Sequence, residues 1–368
     1  MHYRRFGKTG LNLSVFSLGT MRCLESLEMM QQVVSAAVAQ GINHIETAQG
    51  YGQGERYIGQ ALSSLDRESL VLTTKLLPGR DVDRLVDESL ARLNTDYLDC
   101  LAVHGVNTLE HLQQVEAMGP DLQQAIKDGR VRHVGVSSHG SREVLMGAIA
   151  LPMISFINLH YYFFNPRNAA AIELAHQRDL GIFIISPADK GGQLYTPPKK
   201  LQQLCAPFDP LLLTYRWLLS DPRITTLSVG PAIPTELDWP LQVANNISPL
   251  TQEEQAAIAR LDQTQSAALG TEHCRQCYAC LPCPEAINIP EVLRLRNLTI
   301  AYDMKSFGQY RYGMFERAGH WFPGRKASRC NDCGDCLPRC PEQLDIPKLL
   351  RDTHERLKGP ERRRLWSD

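Results

Sequence analysis

The chain has 368 residues, with 39 Lys and Arg against 40 Asp and Glu and a formal net charge of −1. That length exceeds the size at which a single core stops growing, so one large domain plus a smaller one is expected. The balanced charge leaves no electrostatic footprint for nucleic acid, and the chain has neither an apolar leader nor eighteen consecutive apolar residues, so nucleic-acid binding, export and membrane spanning are not expected and a cytoplasmic location is.

From the start, "HYRRFGKTGLNLSVF" reads as a hairpin around Lys8-Thr9-Gly10 that would cap the bottom of whatever follows. Eight short β-branched or aromatic runs come next, at 14–20, 43–47, 70–76, 97–105, 132–138, 154–160, 181–187 and 224–230. Segments with helical periodicity separate them. "LEMMQQVVSAAVAQG", "DRLVDESLARLN" and "AAAIELAHQRDLG" are examples, the first and third ending in the glycine that often caps a helix. Eight strand-helix units in roughly 250 residues suit a closed parallel barrel better than an open doubly wound sheet. The fold class is therefore α/β, a (β/α)8 TIM barrel. The polar amphipathic segment at 251–265 has Thr251 and Glu254 at capping-box spacing and is expected to close the first domain. The boundaries expected are 1–268 for the barrel and 269–368 for a mainly helical second domain. Within the latter, "ERRRLW" near the end reads as a solvated tail.

Eleven cysteines are present, of which Cys23, Cys100 and Cys205 are scattered and read as small core residues. The other eight fall between positions 274 and 340, and dense cysteine in a reducing compartment reads first as metal ligation. They lie in the only internal repeat: "CPEAINIPEVLR" (283–294) aligns without a gap to "CPEQLDIPKLLR" (340–351). In each copy a proline after the cysteine and an Ile-Pro at the next helix start constrain the backbone. Cys330, Cys333, Cys336 and Cys340, followed by Pro341, have the full C-x2-C-x2-C-x3-C-P spacing of bacterial two-cluster ferredoxins. Cys274, Cys277, Cys280 and Cys283, followed by Pro284, are one residue shorter between the last two. A structural zinc site would instead separate two cysteine pairs by a longer loop. By the two-cluster logic, Cys274, Cys277 and Cys280 bind one [4Fe-4S] cube with Cys340, while Cys330, Cys333 and Cys336 bind the other with Cys283. Each half lacks one ligand of its own cluster, which accounts for the repeat.

In a barrel, polar residues at the C-terminal ends of strands surround the substrate. "HIETAQGYG" places Glu46 and Tyr51 there, "LVLTTK" places Lys75, and "LDCLAVHG" places His104. Together these residues resemble the aldo-keto reductase superfamily, with its strand-two "DTAxxYG" segment, strand-three lysine and strand-four histidine. The resemblance extends over almost the whole first domain, and with the cysteine-rich C-terminus the chain resembles the subgroup carrying a ferredoxin-like two-[4Fe-4S] domain. It implies hydride transfer from a nicotinamide to a small-molecule carbonyl substrate. Tyr51 would be the general acid, Lys75 the cation that favours its ionised form, Glu46 the partner of the lysine and His104 the donor that orients the carbonyl oxygen. Glu46 stands where the family usually has aspartate.

The resemblance further implies cofactor contacts from Thr20, Met21, Ser137, Ser138, Asn158 and Ser186. Ser138 replaces a usual asparagine and Asn158 a usual glutamine. "SVGPAIPTELDWPLQVANN" (228–246) contains no Lys or Arg to hold a 2′-phosphate, and Glu236 sits where such a cation is expected. NADPH is the family default and NADH stays open beside it. A nicotinamide moves two electrons at once and a cube one, so either electrons enter from an external ferredoxin or another redox partner, or the clusters are structural or redox-sensing. The alternative function is an iron-sulfur electron carrier or redox-responsive binding protein built on a degenerate barrel.

Overall fold

The computed structural model describes residues 1–359, and the "ERRRLW" run lies outside them. Strands β1 (Tyr3–Arg5) and β2 (Asn12–Ser14) pair antiparallel. Eight further strands follow: β3 (Phe16–Gly19), β4 (His44–Glu46), β5 (Val71–Leu76), β6 (Leu98–Val103), β7 (Val131–Ser138), β8 (Phe156–Leu159), β9 (Gly181–Ile184) and β10 (Thr226–Val229). They form a closed barrel in chain order, β10 pairing in parallel with β3. Each coincides with one of the eight runs read from the sequence, and the fold is the expected (β/α)8 barrel.

The hairpin seats Phe6, which is fully buried among Leu13, Val71, Cys100, Ala102, Phe156 and Phe183. Val71, Phe156 and Gly181 are the first residues of their strands, so this aromatic cluster plugs the N-terminal mouth of the barrel. A Cβ on Gly181 would lie 2.2 Å from the Phe6 ring. That glycine therefore opens β9 under an aromatic ring and does not cap the preceding helix, as the sequence pattern suggested. The helix ends at Gln177, and the left-handed turn after it is taken by Asp179 at φ 55°. At mid-barrel, the His44 ring bridges Ser17 Oγ at 2.6 Å and Thr73 Oγ1 at 2.7 Å, and Ser17 continues to Thr226 Oγ1 at 2.7 Å.

By their contacts, Met1–Gly191 with Thr214–Pro249 form one compact unit, and Gly192–Leu213 with Leu250–Asp368 the other. The barrel strands all lie in the first. The helix Gln252–Leu269, started by the full Thr251–Glu254 capping box, lies in the second. There it packs on the helix Ile289–Tyr302, with Tyr302 Oη donating to Leu261 O at 3.0 Å. The basic, tyrosine-rich stretch between the cysteine runs is two helices, Ile289–Tyr302 and Lys305–Tyr312, parted by Asp303 at φ 60°. Tyr302 and Tyr312 are fully buried packing residues. Among the described residues no helix is long and apolar enough to cross a membrane.

Candidate active site and cluster cavities

Glu46 is the last residue of β4, Lys75 the fifth of β5, and His104 follows β6, so three adjacent strands deliver them to the C-terminal end of the barrel. Tyr51 comes from the turn between β4 and the helix Gly54–Leu62, its N–H donating to Ala48 O and its carbonyl accepting from Gly54 N. Lys75 Nζ lies 3.1 Å from Glu46 Oε1, donates to Thr47 O at 2.8 Å and reaches Tyr51 Oη at 3.4 Å. The Tyr51 and His104 rings meet edge to face at 5.7 Å. Although Glu46 is one methylene longer than aspartate, its carboxylate stays on the lysine.

The ion pair is almost dry, with side-chain exposures of 2% for Lys75 and 5% for Glu46. Burial opposes the charge on Lys75, but attraction from Glu46 and then from Tyr51 exceeds it, and the pKa of the ammonium ends above its ordinary value. For Tyr51 burial is the largest effect and raises the pKa. Lys75 pulls it down and Glu46 pushes it up, and the net direction is upward. The lysine favours tyrosinate, as the sequence reading required, yet burial outweighs it. His44, deeper in the barrel, is held neutral: burial, then the charge of Lys75, lowers its pKa to about 3.

The residues assigned to the cofactor divide by geometry. Thr20 Oγ1 donates to Glu46 O at 3.1 Å, and Met21 follows it in the same loop. Ser137 Oγ accepts from Gly105 N at 3.0 Å, and Ser138 Oγ donates to Val106 O at 2.6 Å, so both hydroxyls also tie the loop after β6 to β7. Ser186 adopts φ 53° just after β9, and its carbonyl accepts from Lys190 N. Asn158 is fully buried; its Nδ2 donates to Glu46 Oε1 at 2.7 Å, whereas its Oδ1 is buried without a partner. A buried amide oxygen of this kind suits a ligand that brings its own N–H donor. The nicotinamide carboxamide is such a donor, and the residues present fit the group.

Glu236 does not stand alone. Arg22, from the loop after β3, grips it with both terminal nitrogens at 2.9 and 3.2 Å and donates to Gly230 O at 2.9 Å. Residues 228–246 carry no trace of this arginine because it is supplied from 214 residues away.

The eight clustered cysteines line two small cavities. The first is lined by Cys283 with Cys330, Cys333 and Cys336, the second by Cys274, Cys277 and Cys280 with Cys340. Each cavity takes three cysteines from one run and one from the other, the crossed arrangement expected from the spacing. The copies repeat in backbone as well: Gln276 and Asp332, Tyr278 and Gly334, and Ala286 and Gln343 all have positive φ at equivalent positions. Asn288 and Asp345 cap the two Ile-Pro helices with their side chains. Ile289 borders both cavities.

Burial, reinforced by neighbouring cysteines, raises Cys274 to about 11 and Cys280 to about 12, and burial raises Cys336 as well. Such thiols become ligands only when a cationic core displaces their protons. Among the described residues no three His, Cys, Asp or Glu side chains are grouped as for a single metal ion. Four sulfurs around one cavity instead fit a cluster. Cys23, Cys100 and Cys205 are buried and lie outside both cavities.

Comparison with known proteins agrees with both halves. The profile described as "Aldo/keto reductase family" matches residues 16–203, and that of a "4Fe-4S dicluster domain" matches 273–345. "Uncharacterized oxidoreductase YqkF" of Bacillus subtilis (strain 168) is 22% identical over 298 residues, covering 70% of this chain and 95% of its own. The L-glyceraldehyde 3-phosphate reductase of Escherichia coli (strain K12) is 22% identical over 333 residues, covering 72% of this chain and 92% of its own. The solved holo form of aldo-keto reductase AKR11C1 from Bacillus halodurans superposes with a TM-score of 0.63 at 21% identity, over 71% of this chain and 96% of that one. At that identity the likeness is one of fold.

Proposed function

The chain belongs to the aldo/keto reductase family and carries a 4Fe-4S dicluster domain, and on that footing we propose that its barrel is an NAD(P)H-dependent carbonyl reductase with Tyr51 as general acid. A bound reduced nicotinamide supplies hydride to the carbonyl carbon; with one proton, carbonyl and NAD(P)H become alcohol and NAD(P)⁺. Tyr51 Oη holds that proton. Its raised pKa keeps it protonated at neutral pH, ready to donate as charge grows on the carbonyl oxygen. Lys75 stabilises the tyrosinate left behind, and Glu46 with Thr47 O fixes the ammonium in place. His104, edge-on to Tyr51, borders the same space and orients the oxygen. Thr20, Met21, Ser137, Ser138, Asn158 and Ser186 would hold the cofactor. Arg22 supplies the cation that the loop after β10 lacks, which supports NADPH beside NADH.

Cys274, Cys277, Cys280 and Cys340 would hold one [4Fe-4S] cluster and Cys283, Cys330, Cys333 and Cys336 the other. Such clusters supply one-electron transfer, so exchange with a ferredoxin or similar redox partner accompanies the two-electron chemistry of the barrel.

The observation that carries this reading is the buried contact of Lys75 Nζ with both Glu46 Oε1 and Tyr51 Oη. The test is Tyr51→Phe, assayed with NADH and NADPH on a panel of small aldehydes. Loss of about a hundredfold or more in turnover is expected; undiminished reduction refutes the acid.

A further inference from the structure

Strands β4 and β8 stand four places apart in a ring of eight, so they face each other across the barrel. Glu46 and Asn158 bridge that span with one hydrogen bond of 2.7 Å. The oxygen that accepts it, Oε1, is the one that Lys75 Nζ meets at 3.1 Å. A carboxylate in an ion pair can only accept, so the amide is oriented without ambiguity: Nδ2 on Glu46, Oδ1 turned away. Glu46 has two methylenes and therefore more freedom than a shorter acid; the amide of Asn158, held on the oxygen that also meets the lysine, restrains that freedom.

Resting on the nicotinamide-reductase reading above, we infer that Asn158 is a positioning residue that sets the reach of Glu46 toward Lys75, and that its unpaired Oδ1 couples this hold to the cofactor. The two ends of one amide are polarised together, so an N–H donor received at Oδ1 strengthens the donation from Nδ2. The lysine relay is then tightest when cofactor is present. The fit of the bridge lies in the summed length of its two arms, two methylenes from Glu46 and one from Asn158. Glu46→Asp or Asn158→Gln alone leaves the bridge short or long by one C–C bond, ~1.5 Å. Made together, they pass a methylene from one arm to the other and keep the span.

The test is a double-mutant cycle on the full chain with its clusters, comparing the parent with Glu46→Asp, Asn158→Gln and both. It reads dissociation constants for NADH and NADPH by fluorescence, then kcat and the carbonyl KM. Each single change is expected to weaken the tighter-bound nicotinamide and to lower kcat, each by about tenfold, with the carbonyl KM moved by less than about twofold. The double variant should return to within about threefold of the parent in both. Losses that multiply in the double variant, or an Asn158→Gln protein indistinguishable from the parent, overturn the inference. Melting temperatures and iron content verify folding. If the longer glutamine prevents it, Asn158→Ser takes its place; nicotinamide affinity unchanged in that variant overturns the inference equally. Turnover retained in Tyr51→Phe would remove the acid yet leave the cycle readable in cofactor affinity, whereas a parent that binds neither nicotinamide overturns both readings.

Discussion

His44 offers the sharpest check on the electrostatics beneath the site. Its ring is fully buried between Ser17 and Thr73, and burial together with the charge of Lys75 lowers its pKa from 6.5 to about 3. Unfolding returns the imidazole to 6.5, so at lower pH the unfolded chain takes up a proton that the folded one refuses. The folded pKa is the depressed one; the contribution to stability is therefore complete above pH 6.5 and is lost as pH falls toward 3. At roughly 1.4 kcal/mol per pH unit, the loss is about 2 kcal/mol at pH 5 and about 4 kcal/mol by pH 3. At about 2.1 cal/mol/K of unfolding entropy per residue, 2 kcal/mol corresponds for a chain of this size to a fall in melting temperature of about 3 °C. Other groups titrate in the same range, so the assay compares melts at pH 7 and pH 5 for the parent and for His44→Gln, which keeps a hydrogen-bonding amide and cannot titrate. The variant starts less stable at pH 7 but should lose about 2 kcal/mol less on acidification. Lys75→Met should also shrink the drop, because the ammonium is the second cause. An identical drop in the parent and His44→Gln would show that the ring is not held neutral and that this account of the barrel interior is wrong.

The crossed cavities predict that Cys340→Ser removes the cluster on Cys274, Cys277 and Cys280, leaving about four of eight irons. The remaining cluster should then survive Cys274→Ser and be lost with Cys330→Ser; iron analysis giving the opposite pattern would mean that each run binds its own four. Arg22→Ala strips Glu236 of its partner, so the dissociation constant for NADPH should rise about tenfold and that for NADH by less than about threefold. Equal losses measured by fluorescence titration would remove Arg22 from phosphate recognition.

What was legible in the sequence follows the range of the interactions involved. A parallel barrel joins strands that are neighbours in the chain, and each run is followed by a helix, so the order of β3 to β10 follows from local pattern. Glu46, Tyr51, Lys75 and His104 are legible for the same reason, since they sit on three consecutive strand ends. The fourth cysteine of each cavity comes from a distant run, yet it is legible because the run occurs twice. Pairings with neither periodicity nor repeat leave no such trace. Asn158 meets Glu46 across 112 residues, and Arg22 meets Glu236 across 214. Gly181 misleads in the opposite way: a glycine at the end of a helical pattern suggests a cap, but the demand on it comes from the ring of Phe6. The cluster loops add a related case. Of the paired left-handed positions only Gly334 is a glycine, while Gln276, Tyr278, Ala286, Asp332 and Gln343 carry side chains there. That conformation costs a non-glycine residue of order 1 kcal/mol or more and persists only where the surroundings impose it. Its recurrence at matched positions in both copies points to a shared demand on the loops. Three cysteines turned toward one cavity and a fourth toward the other, just ahead of an Ile-Pro helix, are the feature both copies have in common.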